Sequence, residues 1–199
     1  MSEQAWWYIS RASGMVAWGL ITLAVLWGLT LSTKVLGKRN VPAWLLDLHR
    51  FLGGLSIVFT AIHLGGLAAD SYLYFGWAEV FVPMASEWQP GAVAWGVVAL
   101  YLLLAIEITS LLMRRLPRRL WRAIHQLSFV LYGLATIHGV TAGTDATNGI
   151  YVWLSVASVQ FVLFLTLIRV VAARRAKRRP AVTKSSSTPT KQPLAPASS

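Results

Sequence analysis

The chain carries four histidines, and they fall into two pairs: His49 and His63, fourteen residues apart, and His125 and His138, thirteen apart. The residues between each pair are largely apolar. A neutral imidazole offers one lone pair to a metal, and iron in haem is among the metals it suits. Along a helix the His49–His63 step spans about 21 Å and the His125–His138 step about 20 Å. Two helices with ligands at matched heights are what two stacked bis-histidine haems require. The chain has no cysteine, so iron–sulfur clusters, thiol catalysis and thioether-linked haem are excluded, and any haem would be non-covalent and b-type.

Heights match better than directions. Fourteen residues return the second side chain to within about 40° of the first, whereas thirteen leave an offset of about 140° in a straight helix. Either the second helix is locally distorted, with Gly133 a candidate place, or the two haem planes are rotated relative to each other. Spacing leaves both open. The competing readings are four unrelated packing histidines, or zinc. Zinc fits poorly, since a structural site gathers four ligands at one point and these pairs lie far apart.

The elements that position the histidines are membrane spans. The 199 residues are 56% hydrophobic and 13% charged, against about 25% charged in a soluble domain. Five stretches approach the length of about 20 apolar residues that crosses a hydrocarbon core: Gly14 to Ser32, Pro42 to Ala69, Ala92 to Met113, Leu120 to Ala142 and Ile150 to Ala172. Asn40-Val41-Pro42 supplies a cap and a first-turn proline for the second. The fold class expected is all-α, a polytopic five-helix bundle with haem between helices two and four. Residues 1–13 form an outer tail, 14–172 the membrane domain and 173–199 a basic, disordered cytoplasmic tail.

The net charge of +11 lies in clusters between apolar runs, not along one polar face, so nucleic acid is not the expected partner. Lys34, Lys38 and Arg39 follow the first span. Arg114, Arg115, Arg118, Arg119 and Arg122 lie between the third and fourth. Arg169, Arg174, Arg175, Lys177, Arg178, Arg179, Lys184 and Lys191 close the chain. The other connections lack Lys and Arg. The positive-inside rule then puts the N-terminus outside and the C-terminus in the cytoplasm of a plasma-membrane protein. Asp70, Glu79, Glu87 and Asp145 fall outside. The N-terminus lacks a basic region and a cleavage site, so no signal peptide is expected.

In this topology His49 and His125 lie near the inner face, and His63 and His138 nearer the outer. Trp6, Trp7 and Tyr8 suit an interface. The outer connection, with Tyr72, Tyr74, Phe75, Trp77, Phe81 and Trp88, reads as a lipid-facing loop holding a short interfacial helix at Trp77–Val82. Haem propionates need cationic partners. Arg50 and Arg122 are the candidates near the inner level, and Arg11, the one basic residue placed outside, is the candidate for the outer. Ser10, Ser13, Thr141 and Thr144 are polar at the outer level. Glu107, within span three, reads as a snorkelling or arginine-paired carboxylate, with a proton relay as the sharper alternative. Asp47 reads as a partner for a basic residue. Phe59, Phe129 and Tyr132 fall between the ligand levels as packing. The C-terminal basic run is a stop-transfer and a contact for anionic lipid.

The pattern His49-x13-His63 with His125-x12-His138-Gly139 resembles the ferric reductase-like transmembrane domain, the family of NADPH oxidases, ferric-chelate reductases and the haem subunit of the methionine sulfoxide reductase system. The resemblance covers about residues 10–172. It implies an inner haem on His49 and His125, an outer haem on His63 and His138, and electron transfer from a cytoplasmic-side donor to an extracytoplasmic acceptor. Oxidases and ferric reductases of that family usually carry six spans and a flavin and NADPH region, and no flavin site is evident in this sequence. The resemblance therefore implies a separate electron donor, a flavoprotein or a quinol, and an oxidoreductase component working with partners. The alternatives are a quinol-oxidising subunit feeding an extracytoplasmic reductase and, in another class, a haem-free membrane scaffold.

Overall fold

The structure is a computed structural model, and it describes residues 3–33, 42–70, 75–143 and 148–178. Lys34, Lys38, Arg39, Asn40, Val41, Tyr72, Tyr74, Thr144, Asp145, Arg179, Lys184, Lys191 and the tail 180–199 lie outside the described residues. The elements are α1 (Glu3–Thr33), α2 (Ala43–Ala69), α3 (Trp77–Phe81), α4 (Pro90–Leu111), α5 (Arg118–Gln126), α6 (Ser128–Ala142) and α7 (Gly149–Arg178). Five helical stretches are long and apolar enough to span a bilayer: Gln4–Ser32, Ala43–Ala69, Pro90–Leu111, Arg118–Ala142 and Gly149–Arg175. The protein is a multi-pass membrane protein. Its large apolar side chains point outward at positions such as Leu23, Phe51, Trp153 and Leu163. In water such a surface would aggregate, whereas in lipid it is the solvated face.

Helix α1 is the centre of the bundle, packing on α2, α6 and α7, while α6 packs on α4 and α2 touches α4 only lightly. One face of α1 buries Ala17, Ile21, Val25 and Leu29, spaced four residues apart. This stripe meets Ala99, Leu103 and Ile106 of α4, Leu131 and Tyr132 of α6 and Val162 of α7. The adjoining face of α1 lies so close to α2 that a side chain on Gly66 would stand 2.9 Å from the Cβ of Ser10. Missing side chains allow such approach between membrane helices, where dispersion replaces the hydrophobic effect as the source of cohesion. Polar side chains in the spans are satisfied locally: Thr22 donates to Trp18 O at 2.9 Å and Ser56 to Gly53 O at 2.7 Å. Trp27 Nε1 donates to Leu45 O at 2.9 Å and ties the end of α1 to the start of α2.

Two features depart from the reading of the sequence. The first span's helix runs back to Glu3, so most of the expected tail continues α1. The fourth span is two helices, α5 and α6, separated by Leu127, whose N–H bonds back to Ile124 O at 3.0 Å in a tighter i→i−3 turn. The local distortion in this span is at Leu127. Gly133, the candidate place, is ordinary α6 helix.

The connection after α2 divides its aromatics between two tasks. Trp77 is 83% exposed and stacks on Phe81, with ring centroids 5.9 Å apart. A short helix was expected at this place. Phe75, by contrast, is buried with Val93 and Val97, and Trp88 packs against them. Glu79 reaches back to the Gly76 N–H at 2.8 Å and closes the first turn of α3. The Tyr101 hydroxyl donates to Phe81 O and holds α3 to α4.

Candidate functional site

The four histidines come together as two pairs, each drawn from α2 and from the α5–α6 span. His49 faces His125 with ring centroids 5.9 Å apart, and His63 faces His138 at 6.4 Å; in both pairs the ring planes cross at 77°. A metal bonded to one nitrogen of each ring at about 2 Å separates the ring centres by about 6 Å, so each pair leaves room for a single metal atom. Among the described residues no three His, Cys, Asp or Glu side chains converge on one point. The arrangement suits two-point axial ligation and not a four-ligand cage.

The pair remote from the arginine cluster is fully prepared. His63 Nδ1 lies 2.8 Å from the carbonyl of Ser10, and His138 Nδ1 lies 2.9 Å from the carbonyl of Ala92. A carbonyl only accepts, so both Nδ1 atoms carry the proton and both Nε2 atoms keep an open lone pair. This is the orientation a backbone carbonyl imposes on a metal-binding histidine. The Ser10 hydroxyl donates to His63 O at 3.1 Å, and its oxygen stands 3.1 Å from His63 Nδ1.

These two rings border a cavity of ≈ 200 Å³ between α1, α2, α4 and α6, lined mainly by apolar side chains including Trp18, Phe75, Trp88 and Leu103. One water needs about 10–15 Å³ on that measure, so the cavity is no packing flaw. Arg11 and Glu79 also line it, and the Arg11 guanidinium sits over the Trp7 ring at 5.6 Å. Trp18 is fixed by a hydrogen bond from Nε1 to Thr136 Oγ1 at 3.0 Å.

The pair beside the arginine cluster is held more loosely. His49 Nδ1, like that of His125, is buried without a hydrogen bond. His125 instead stacks on Trp121, one helical turn earlier, with ring centroids 5.2 Å apart and planes 22° from parallel. Trp121 Nε1 is also a buried donor without an acceptor. Three buried polar nitrogens without partners are costly in a bilayer.

The sequence of this helical frame matches the family described as ferric reductase like transmembrane component, over residues 13–136. The match takes in His49, His63 and His125 and ends just before His138. The chain belongs to this family. Membership implies electron transfer across a membrane, and the ferric reductase-like family typically binds haem. No curated protein and no solved structure matches the chain.

The other residues singled out from the sequence of this ferric reductase-like chain separate clearly. Arg11 borders the cavity. Arg50 is at the surface, 3.3 Å from Asp47, which gives Asp47 its expected basic partner. Arg122 is exposed. Ser10 is engaged by His63. Ser13 bonds to Ile9 O and Ser10 O, and the exposed Thr141 to Ile137 O. Tyr132 is core, its hydroxyl 2.7 Å from Ser158 Oγ, and Phe129 packs beside that core; Phe59 is half-buried on α2. Glu107 makes no ion pair among the described residues; its carboxylate lies against Gly53 of α2. The sequence reading overlooked Gly14, Gly28, Gly96, Trp18 and Trp121. The signal for two of them was available: Gly14 and Gly28 are fourteen residues apart, the interval between His49 and His63.

Proposed function

We propose that this chain binds two b-type haems, one between His49 and His125 and one between His63 and His138, and carries electrons from the cytoplasmic side of the plasma membrane to an extracytoplasmic acceptor. The observation that carries this reading is the pair of Nδ1–H···O=C bonds at His63 and His138. They leave the Nε2 atom of each ring without a proton, on two rings that border one cavity with centroids 6.4 Å apart. A haem held by two imidazoles supplies a one-electron Fe(III)/Fe(II) couple with no vacant coordination position.

The chain's own residues do the rest. α2 and the α5–α6 span set the two ligand levels, and α1 and α4 provide the carbonyls that orient the outer rings. The apolar lining keeps water from the outer site and lowers its dielectric. Arg11 is the propionate partner best placed by geometry. Arg50, engaged by Asp47, and the exposed Arg122 are candidates for the inner level. The positive-inside rule puts the arginine-rich end in the cytoplasm and the Arg11 end outside. A flavoprotein or a membrane quinol on the inner side is the donor we assign, with a reductase or small oxidant outside as acceptor.

The deciding experiment is the haem-to-protein ratio of the purified full chain, with a reduced-minus-oxidised spectrum. Two b-type haems per chain are expected. No haem, after expression with ample haem supply, overturns the proposal and favours the scaffold reading.

A further inference from the structure

We infer that Gly14 and Gly96 are positioning residues: each removes the side chain that would cover a helix carbonyl four residues earlier, and so opens that carbonyl to a histidine from the neighbouring span. The inference rests on the haem-binding reading for its consequences, though its geometry stands apart from it.

Two instances carry it. His63 bonds to Ser10 O, and Gly14 follows Ser10 by four residues. His138 bonds to Ala92 O, and Gly96 follows Ala92 by four. Gly28 lies against the His49 ring, but His49 Nδ1 makes no hydrogen bond there. In an α-helix the carbonyl of residue i already accepts the N–H of residue i+4, yet it has a second lone pair. A Cβ on residue i+4 stands beside that lone pair and shields it. Glycine removes the shield without breaking the helix bond.

The steric margins are small. A Cβ built on Gly14 would stand 2.9 Å from His63 Nδ1, and one on Gly96 2.7 Å from His138 Cε1 and 2.8 Å from its Nδ1. One on Gly28 would stand 3.2 Å from His49 Cε1. Ordinary contact begins near 3.4 Å, so alanine at 14 or 96 makes the ring retreat by roughly half an ångström, about the tolerance a bound metal allows its ligands. The retreat also stretches the hydrogen bond that sets the tautomer. At Gly28 the required shift is smaller. Gly19 on the same helix has nothing within 4 Å, so glycine at that place serves no such purpose.

This also explains why α1 belongs to the site although it contributes no ligand. Gly14 and Gly28 repeat the His49–His63 interval on the helix that packs against α2, so each leaves room for one histidine ring of α2. No described glycine stands against His125, which rests on Trp121.

The test uses the full chain labelled with 15N-histidine, haem-free and haem-loaded, comparing wild type with G14A, G96A, G28A and G19A. In haem-free wild type His63 and His138 are expected to hold the proton on Nδ1, with Nε2 bare. G14A should abolish that signature at His63 and G96A at His138, and each should lower bound haem from two per chain to one. G28A should perturb the His49 site alone and more weakly, and G19A should change nothing. The inference is overturned if G14A and G96A keep both the tautomer and both haems, or if G19A is as damaging as they are. Should G14A and G96A fail to accumulate, wild type still decides: a proton on Nε2 of His63 and His138 in the haem-free protein refutes the seats. Haem-free wild type under ample haem supply would sink the proposed function and leave the tautomer result standing.

Discussion

Ser10 and His63 are joined in both directions: His63 Nδ1–H donates to the Ser10 carbonyl at 2.8 Å, and the Ser10 hydroxyl donates to the His63 carbonyl at 3.1 Å. Only the second bond depends on the serine side chain. Ser10→Ala is therefore expected to keep both haems, because the orienting acceptor is main chain. It should lower stability by about 1 kcal/mol, the usual scale for one hydrogen bond. Thermal unfolding in detergent and haem content measured on the same sample check the two halves separately.

Ligand replacement should act by pair and not by residue. His63→Ala or His138→Ala is expected to remove the outer haem and leave the inner, and His49→Ala or His125→Ala the reverse. Haem per chain falls from two to one in every case, and the surviving spectrum is the same within a pair and different between pairs. A single replacement that empties both sites in a folded protein contradicts independent levels.

Both histidine pairs cross at 77°. Near-perpendicular axial imidazoles leave the two iron dπ orbitals almost degenerate, which produces a strongly anisotropic low-spin ferric signal. Electron paramagnetic resonance of the oxidised protein at low temperature should show two such signals. A rhombic signal, typical of parallel imidazole planes, would mean that the rings rotate when the sites fill.

Arg11 borders the outer cavity, and its positive charge favours the reduced, more negative form of any redox group held there. Arg11→Gln should lower the outer site's midpoint potential by roughly tens of millivolts, the scale of one charge at partly screened separation. Arg50 is exposed, paired with Asp47 and remote from the outer cavity, so Arg50→Gln should move the outer potential much less, and stability by no more than about 0.5 kcal/mol. A spectroelectrochemical titration resolves both effects.

The five apolar helices, the short helix after α2 and the two histidine pairs were legible because each has a strong local signature: apolar length, aromatic density, and histidines in otherwise apolar surroundings. What was not legible depended on contacts between spans. Leu127 is an ordinary helix former between a glutamine and a serine, so nothing local marks the break between α5 and α6. Phe75 and Trp88 look like lipid anchors in sequence, yet only the packing of Val93 and Val97 shows that they close the cavity. Arg50 and Arg122 were candidates by proximity in sequence, and proximity says nothing about which way a long side chain turns. The glycine seats carry a signal only when two helices are compared in register.

Gly53 and Glu107 bring α2 and α4 together at one point, and their coupling is the remaining relationship to test. Gly53 is buried, and a Cβ there would run into the Glu107 carboxylate. Gly53→Ala should therefore cost about 1 kcal/mol, the low end for overpacking, because what must move is the far end of a flexible side chain. Glu107→Gln keeps the shape and removes a carboxylate that has no ion pair among the described residues, so it should be neutral or stabilising because the burial of an unpaired charge is relieved. Glu107→Ala clears the space, and in that background Gly53→Ala should cost little. The double-mutant cycle read from unfolding in detergent should thus give a coupling of about 0.5–1 kcal/mol. Additive effects would mean that α2 and α4 do not meet at this point in the bilayer.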